Sequence, residues 1–305
     1  MSRREGEADG RTGEREYLLP PELLRKLERA TIASRHIMIG RTRGERRSAR
    51  RGTSVEFADY RAYAPGDDLR YLDWNAYARL QRLFLKLFHE EEDLHIYLLL
   101  DGSASMDFGR PTKFAWAQEA AAALGYIGLC GGDRVQVFGR AGGRPERSRQ
   151  FCGRGAALEM FDWLSGLEPG GETDLAGSAK LLLQTRPAPG LTFVISDLLT
   201  PEWEAAISRL AAGKGECCVL QVFAREEIDP PLQGDLRLVD AETGDERELT
   251  MGARSHRQYV EARDGFLAAV RAACSRYGFS YLFSASDQEL EDVVLRSLRR
   301  LGVVR

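Results

Sequence analysis

From His95 onward, short apolar runs alternate with longer stretches of helical periodicity. The runs fall at 95–100 (HIYLLL), 134–138 (RVQVF), 191–196 (LTFVIS), 217–223 (CCVLQVF) and 279–283 (FSYLF). Helices are predicted between and after them, at about 113–130, 155–166, 175–185, 202–212, 256–276 and 287–300. Nearly continuous apolar strands separated by helices predict an α/β fold, a doubly wound and mostly parallel sheet covered on both faces. The 113–130 segment is apolar almost all round (Phe114, Trp116, four alanines from Ala120, Leu124, Ile127) and stops at Gly131 and Gly132, so a buried helix is expected. One stretch breaks the alternation: in DLRLVDAETGDERELTM (235–251), two strand-like halves flank Thr243, Gly244 and Asp245, the pattern of an inserted β-hairpin.

Upstream the pattern is less regular. Residues 1–16 hold scarcely an apolar side chain and read as a disordered tail. After Pro20 and Pro21, Leu23, Leu24, Leu27, Ala30, Thr31 and Ile32 recur at three and four, predicting a helix from Pro20 to Ile39. A strand-like stretch within 52–74 runs into the turn pair Pro65-Gly66, and 82–88 (RLFLKLF) alternates as a strand. The expected division is a tail (1–16), a smaller N-terminal accessory region (17–93) and the main domain (94–305), with the 235–251 hairpin joining the accessory layer.

Composition adds limits. A chain of 305 residues, 43% hydrophobic and 29% charged, can bury a large core without disulfides or metals as staples. No run of about eighteen apolar residues exists and the first thirty residues are polar, which reads as a cytoplasmic protein. Five cysteines without a C-x-x-C pair argue against a disulfide framework or a zinc site. The net charge of -3 hides a basic segment: residues 35–51 carry seven arginines against Glu45. Such a run could grip phosphates, and nucleic-acid binding through 35–51 is one alternative reading. No aromatic residue interleaves it, and lysine is scarce along the whole chain, so a solvated or partner-facing loop is favoured.

The candidate chemistry lies at two predicted strand ends. Asp101 follows HIYLLL and opens DGSASM; Asp197 follows LTFVIS. The carboxyl edge of an open α/β sheet is where ligands bind. Ser103 and Ser105 alternate with small residues after Asp101, and Thr173 sits in the glycine-rich GGETDL. Two carboxylates and three hydroxyls, with no thiolate or imidazole, form a hard-oxygen set suited to Mg2+ or Mn2+, with Ca2+ admissible.

D-x-S-x-S, a Thr 68 residues after the last Ser and an Asp 24 residues further on together resemble the metal-ion-dependent adhesion site of von Willebrand factor A domains. The resemblance implies that Ser103, Ser105 and Thr173 touch the metal directly or nearly so, and that Asp101 and Asp197 hold it directly or through water. It also implies an open position for a carboxylate from a partner protein, and binding without turnover. EFADYRAYAPGDDLRYLDWNAYAR (56–79), LKLFHEEED and LVDAETGD (238–245) resemble the bacterial family called domain of unknown function fifty-eight. Members are typically encoded beside MoxR-type AAA+ ATPases, which implies such an ATPase as partner in complex assembly or chaperone-like maturation.

Other conspicuous residues have plainer readings. Asp67 and Asp68 are expected as turn and cap residues with Arg61 or Arg70 as ion partners, Asp174 as a helix cap, Asp107 as a solvated loop residue and Trp74 as core. None of the four histidines lies beside the Asp101 loop, and neither a G-x-S-x-G elbow nor a phosphate-binding P-loop is present. The enzymatic alternative is a Mg2+-dependent phosphoryl hydrolase with Asp101 as nucleophile. It would want an acid at position 103, where Ser stands, and a lysine near the phosphate, which is not apparent in sequence.

Overall fold

The computed structural model describes residues 18–34, 56–89, 94–141, 144–185, 187–213, 215–231 and 234–305. The predicted tail and the arginine-rich segment 35–51 lie outside the described residues. The chain runs through α1 (Pro21–Leu27), β1 (Glu56–Ala62), α2 (Trp74–Leu80), β2 (Phe84–His89), β3 (His95–Leu100), α3 (Lys113–Cys130) and β4 (Arg134–Ala141). Next come β5 (Arg144–Arg147), β6 (Phe151–Cys152), α4 (Ala157–Ser165), α5 (Leu175–Gln184), β7 (Gly190–Ser196), α6 (Trp203–Ala211) and β8 (Glu216–Phe223). It ends with α7 (Arg225–Ile228), β9 (Gly234–Val239), β10 (Glu246–Met251), α8 (Ala253–Arg276), β11 (Ser280–Ala285) and a helical segment over 290–300.

The central sheet has seven strands in the order β11-β8-β7-β3-β4-β5, with β6 also paired to β4. From β11 to β4 every pair is parallel, as predicted; β5 and β6 add antiparallel to β4. These last two strands carry no sequence signal: β5 is the exposed polar RPER and β6 only two residues long. Alternation along the strands sends Ile96, Leu98 and Leu100 to one face, against α1, α3 and α4, and Tyr97 and Leu99 to the other, against α5, α6 and α8. Both faces are thus covered. The helix α3 lies close on the sheet because Gly128 has no side chain: a Cβ there would come within 2.3 Å of Ile96 Cδ1.

The predicted helix from Pro20 to Ile39 is shorter than its periodicity implied. It stops at Leu27, and Ile32 then bridges Val304 while Thr31 exchanges backbone hydrogen bonds with Arg305. The C-terminal chain offers the β-branched Thr31 and Ile32 an extended partner, which competes with helix propagation. Leu19, Leu23 and Leu27 are buried in the same core as α3, so this part of 17–93 belongs to the main body. β1 and β2 pair antiparallel as a separate two-stranded sheet, and β9–β10 form another. The two hairpins therefore do not join into one layer through strand pairing.

Within the first hairpin Asp67 accepts from Arg61 and the Ala64 N–H, Asp68 pairs with Arg70, and Asp73 caps α2. Trp74 departs from expectation. It is 62% exposed, because α2 buries none of its residues and shows Trp74 and Leu80 to solvent. Among the described residues no helix is long and apolar enough to cross a membrane.

Candidate functional site

The chain leaves β3 through α3 to β4 on one side, and β7 later docks on the other side of β3. That reversal of strand order opens a crevice at the carboxyl ends of β3 and β7. Asp101 and Asp197 are the residues that immediately follow these two strands, and the Asp101 N–H donates to the Ile195 carbonyl at 3.0 Å.

The loop after β3 is fixed from within. Asp101 Oδ1 accepts from the Ser103 N–H at 3.0 Å, and Oδ2 accepts from the Ser196 hydroxyl at 2.5 Å. Ser103 Oγ and Ser105 Oγ lie 3.0 Å apart, and the Ser105 hydroxyl donates to Asp197 Oδ2 at 3.2 Å. Two backbone bonds, Ala104 N–H to the Gly171 carbonyl and Gly170 N–H to the Gly102 carbonyl, stitch the glycine-rich loop onto this turn.

Thus four predicted site residues, Asp101, Ser103, Ser105 and Asp197, form one hydrogen-bonded cluster. The fifth, Thr173, is carried to the same edge by its loop, but its hydroxyl is engaged elsewhere. It donates to Glu242 Oε1 at 2.5 Å, while the Thr173 N–H donates to Glu242 Oε2 at 3.0 Å. Asp174 caps α5 by accepting from the Gly177 N–H, and Asp107 is exposed, both as expected.

The absence of a nearby lysine, expected from the sequence, is overturned. Lys113, the first residue of α3, is fully buried, and its Nζ donates to Asp197 Oδ2 and to Glu227 Oε1, each at 2.6 Å. Glu227 Oε2 in turn accepts from the Ala224 N–H. Sequence reasoning missed this triad, although one signal was available. A lysine at the start of a helix apolar all round is a candidate for burial, and a buried charge needs a partner. Glu242 gave no such signal. Arg140, at the end of β4, also lines the edge; a Cβ on Gly171 would lie 3.4 Å from its Nη2.

Burial sets the electrostatics. It raises the Asp101 carboxyl to about 6, with the charge of Asp197 adding to the effect and the Ser196 and Ser103 bonds opposing it. Burial alone would lower the Lys113 ammonium, but Asp197 and Glu227 outweigh it, so the net shift is upward and the charge is kept. The Glu227 carboxyl is raised by burial against the opposing pull of Lys113. Three carboxylates, Asp101, Asp197 and Glu227, gather here with two cationic side chains, Lys113 and Arg140, and acidic oxygens of this kind are donors for a divalent cation.

The donor set fits such a cation, being carboxylate and hydroxyl oxygens alone. Among the described residues no group of three or more His, Cys, Asp or Glu side chains is arranged to hold an ion. Any site here therefore depends on its hydroxyls, Ser103, Ser105 and Thr173. The departure from a simple oxygen cage is Lys113, which already occupies one oxygen of Asp197.

The chain is 27% identical over 281 residues to the uncharacterized protein Rv1480 of Mycobacterium tuberculosis, covering 90% of this chain and 88% of that one. Among solved structures it is similar to the conserved hypothetical protein BatB from Bacteroides thetaiotaomicron, at 15% identity and a TM-score of 0.41, over 68% of this chain and 98% of that chain. It is also similar to the SpRpn10 VWA domain, at 15% identity and a TM-score of 0.39, over 67% and 94% of the two chains. The family described as "Protein of unknown function DUF58" matches residues 59–265, well over half of the sequence, and the chain belongs to that family.

Proposed function

We propose that this chain is a non-enzymatic, divalent-metal-dependent adaptor that captures an Asp or Glu of a partner protein at the carboxyl edge of its sheet. The observation that carries this reading is the hydrogen-bonded cluster of Asp101, Ser103, Ser105 and Asp197 at the point where the strand order reverses. Mg2+ is the cation the donor chemistry favours, with Mn2+ or Ca2+ as substitutes. When bound, it supplies an open coordination position for an incoming carboxylate. Ser103, Ser105 and Thr173 would hold it with Asp101 and Asp197, and Lys113 keeps Asp197 oriented and its charge partly balanced. In the adaptor reading the chain works in the bacterial cytoplasm with a MoxR-type AAA+ ATPase, a partnership that rests on the family resemblance alone.

The hydrolase alternative gains the lysine it lacked in sequence, but in an unsuitable state. Lys113 is fully buried and committed to two carboxylates, and position 103 offers a hydroxyl where a general acid is wanted.

Calorimetric titration with Mg2+ and Mn2+ tests the site, comparing wild type with the Ser103→Ala, Ser105→Ala double variant. Co-purification with the MoxR-type ATPase of the same organism, in Mg2+ and in EDTA, tests the partnership. Binding in wild type only, and an association lost in EDTA and in the double variant, are expected. An association indifferent to both treatments removes the metal from the reading. Metal-dependent turnover of generic phosphoesters, abolished by Asp101→Asn, would replace the adaptor with an enzyme.

A further inference from the structure

We infer that the turn of the β9–β10 hairpin is a built-in carboxylate ligand for this edge, which an external partner must displace. The inference rests on the adhesion-site reading and names its regulation.

The contact is specific in chemistry. Glu242 uses both carboxylate oxygens on one residue, Oε1 on the Thr173 hydroxyl and Oε2 on the Thr173 N–H. Charge-assisted pairs of this kind are the stronger hydrogen bonds. Thr173 is the predicted ligand missing from the Asp101–Asp197 cluster, and a carboxylate is the group the open position is expected to receive. The chain thus holds its own acidic side chain on a hydroxyl of the site, from a segment 69 residues further along the sequence.

The turn is preorganised to present that side chain. Asp240 Oδ1 accepts from the N–H groups of Glu242 and Thr243, at 2.8 and 2.9 Å. The Asp240 N–H donates to the Asp245 carbonyl and the Gly244 N–H to the Asp240 carbonyl. Gly244 adopts φ +77, a left-handed conformation open to glycine at little cost. Six paired positions hold the two strands to each other, and neither strand joins the central sheet. Most of the hairpin is exposed. Lifting the turn from Thr173 therefore breaks a surface contact and leaves the hairpin intact.

A tethered ligand acts at an effective concentration on the order of millimolar, so a turn whose own affinity for the site is about tenth-millimolar suppresses a competitor about tenfold. The probe is a cyclised peptide of residues 236–249, offered in trans to the full chain with Mg2+ and compared with the same peptide carrying Glu242→Ala. The Glu242→Ala chain should bind the Glu-bearing peptide about tenfold more tightly than wild type, and neither chain should bind the Ala peptide. Equal affinities in the two chains, or no binding to the Glu242→Ala chain, overturn the inference. Mg2+ and Mn2+ calorimetry on the same samples separates the two ideas. If metal binds and the peptide does not discriminate, only the built-in ligand falls. If no metal binds and the tenfold difference persists in EDTA, the built-in ligand stands and the adhesion-site reading falls.

Discussion

The inner and outer halves of the site differ in what holds them. Asp101, Ser103, Lys113 and Asp197 are buried, and each polar group is matched by a partner within the protein. Thr173 and Glu242 are half-buried and meet through a hairpin that is otherwise exposed. A buried ionic group is costly to strip of its partner, whereas a surface pair costs little to open. The inner half is therefore a fixed charge arrangement, and the outer half is where another molecule can compete.

Lys113→Met tests the inner half most severely, since it leaves Asp197 and Glu227 buried without their cation. A loss of about 3–5 kcal/mol in denaturant unfolding is expected. A loss under about 1 kcal/mol would put the triad on a level with surface pairs and erase the contrast.

The next effect is a pH dependence in EDTA. The folded chain binds the Asp101 proton more tightly than the unfolded chain, because burial and Asp197 raise this carboxyl from 3.8 to about 6. Its contribution is fully present below about pH 4 and is lost as pH rises through about 6, a fall of about 3 kcal/mol. Asp101→Asn should remove this component, visible as the difference between the two stability–pH curves. Parallel curves would mean that Asp101 ionises in the fold as freely as in the unfolded chain.

Changes in the outer half should hardly register in stability. Thr173→Val and Glu242→Ala are each expected to cost less than about 1 kcal/mol, with their effect appearing in ligand binding. A cooperative loss of several kcal/mol would show the hairpin contact to be structural. Trp74→Ala, on a helix with no buried residue, should change the unfolding free energy least, by about 0.5 kcal/mol or less.

The parallel strands and their helices were legible because covered strands are short apolar runs and helices repeat at three to four residues. Asp101 and Asp197 could be placed at the sheet's carboxyl edge for the same reason, each following an apolar run. Where the local pattern misled, a distant segment intervened. The helix periodicity through Ile32 yielded to pairing with Val304, and Trp74 could not be core on a helix whose seven residues all stay outside it. The strands β5 and β6 were invisible because the polar RPER on a sheet edge reads as loop and two residues are too few to show an alternation.

The layered α/β architecture, the carboxylate–hydroxyl loop and the inserted hairpin are properties of contiguous residues and can be read along the chain. Which groups meet those residues depends on long-range folding: Lys113 lies 84 positions from Asp197 and 114 from Glu227, and Glu242 lies 69 from Thr173. Periodicity reports the face a residue turns to the core. It carries no information on which charge, folded in from elsewhere, will lie against that face.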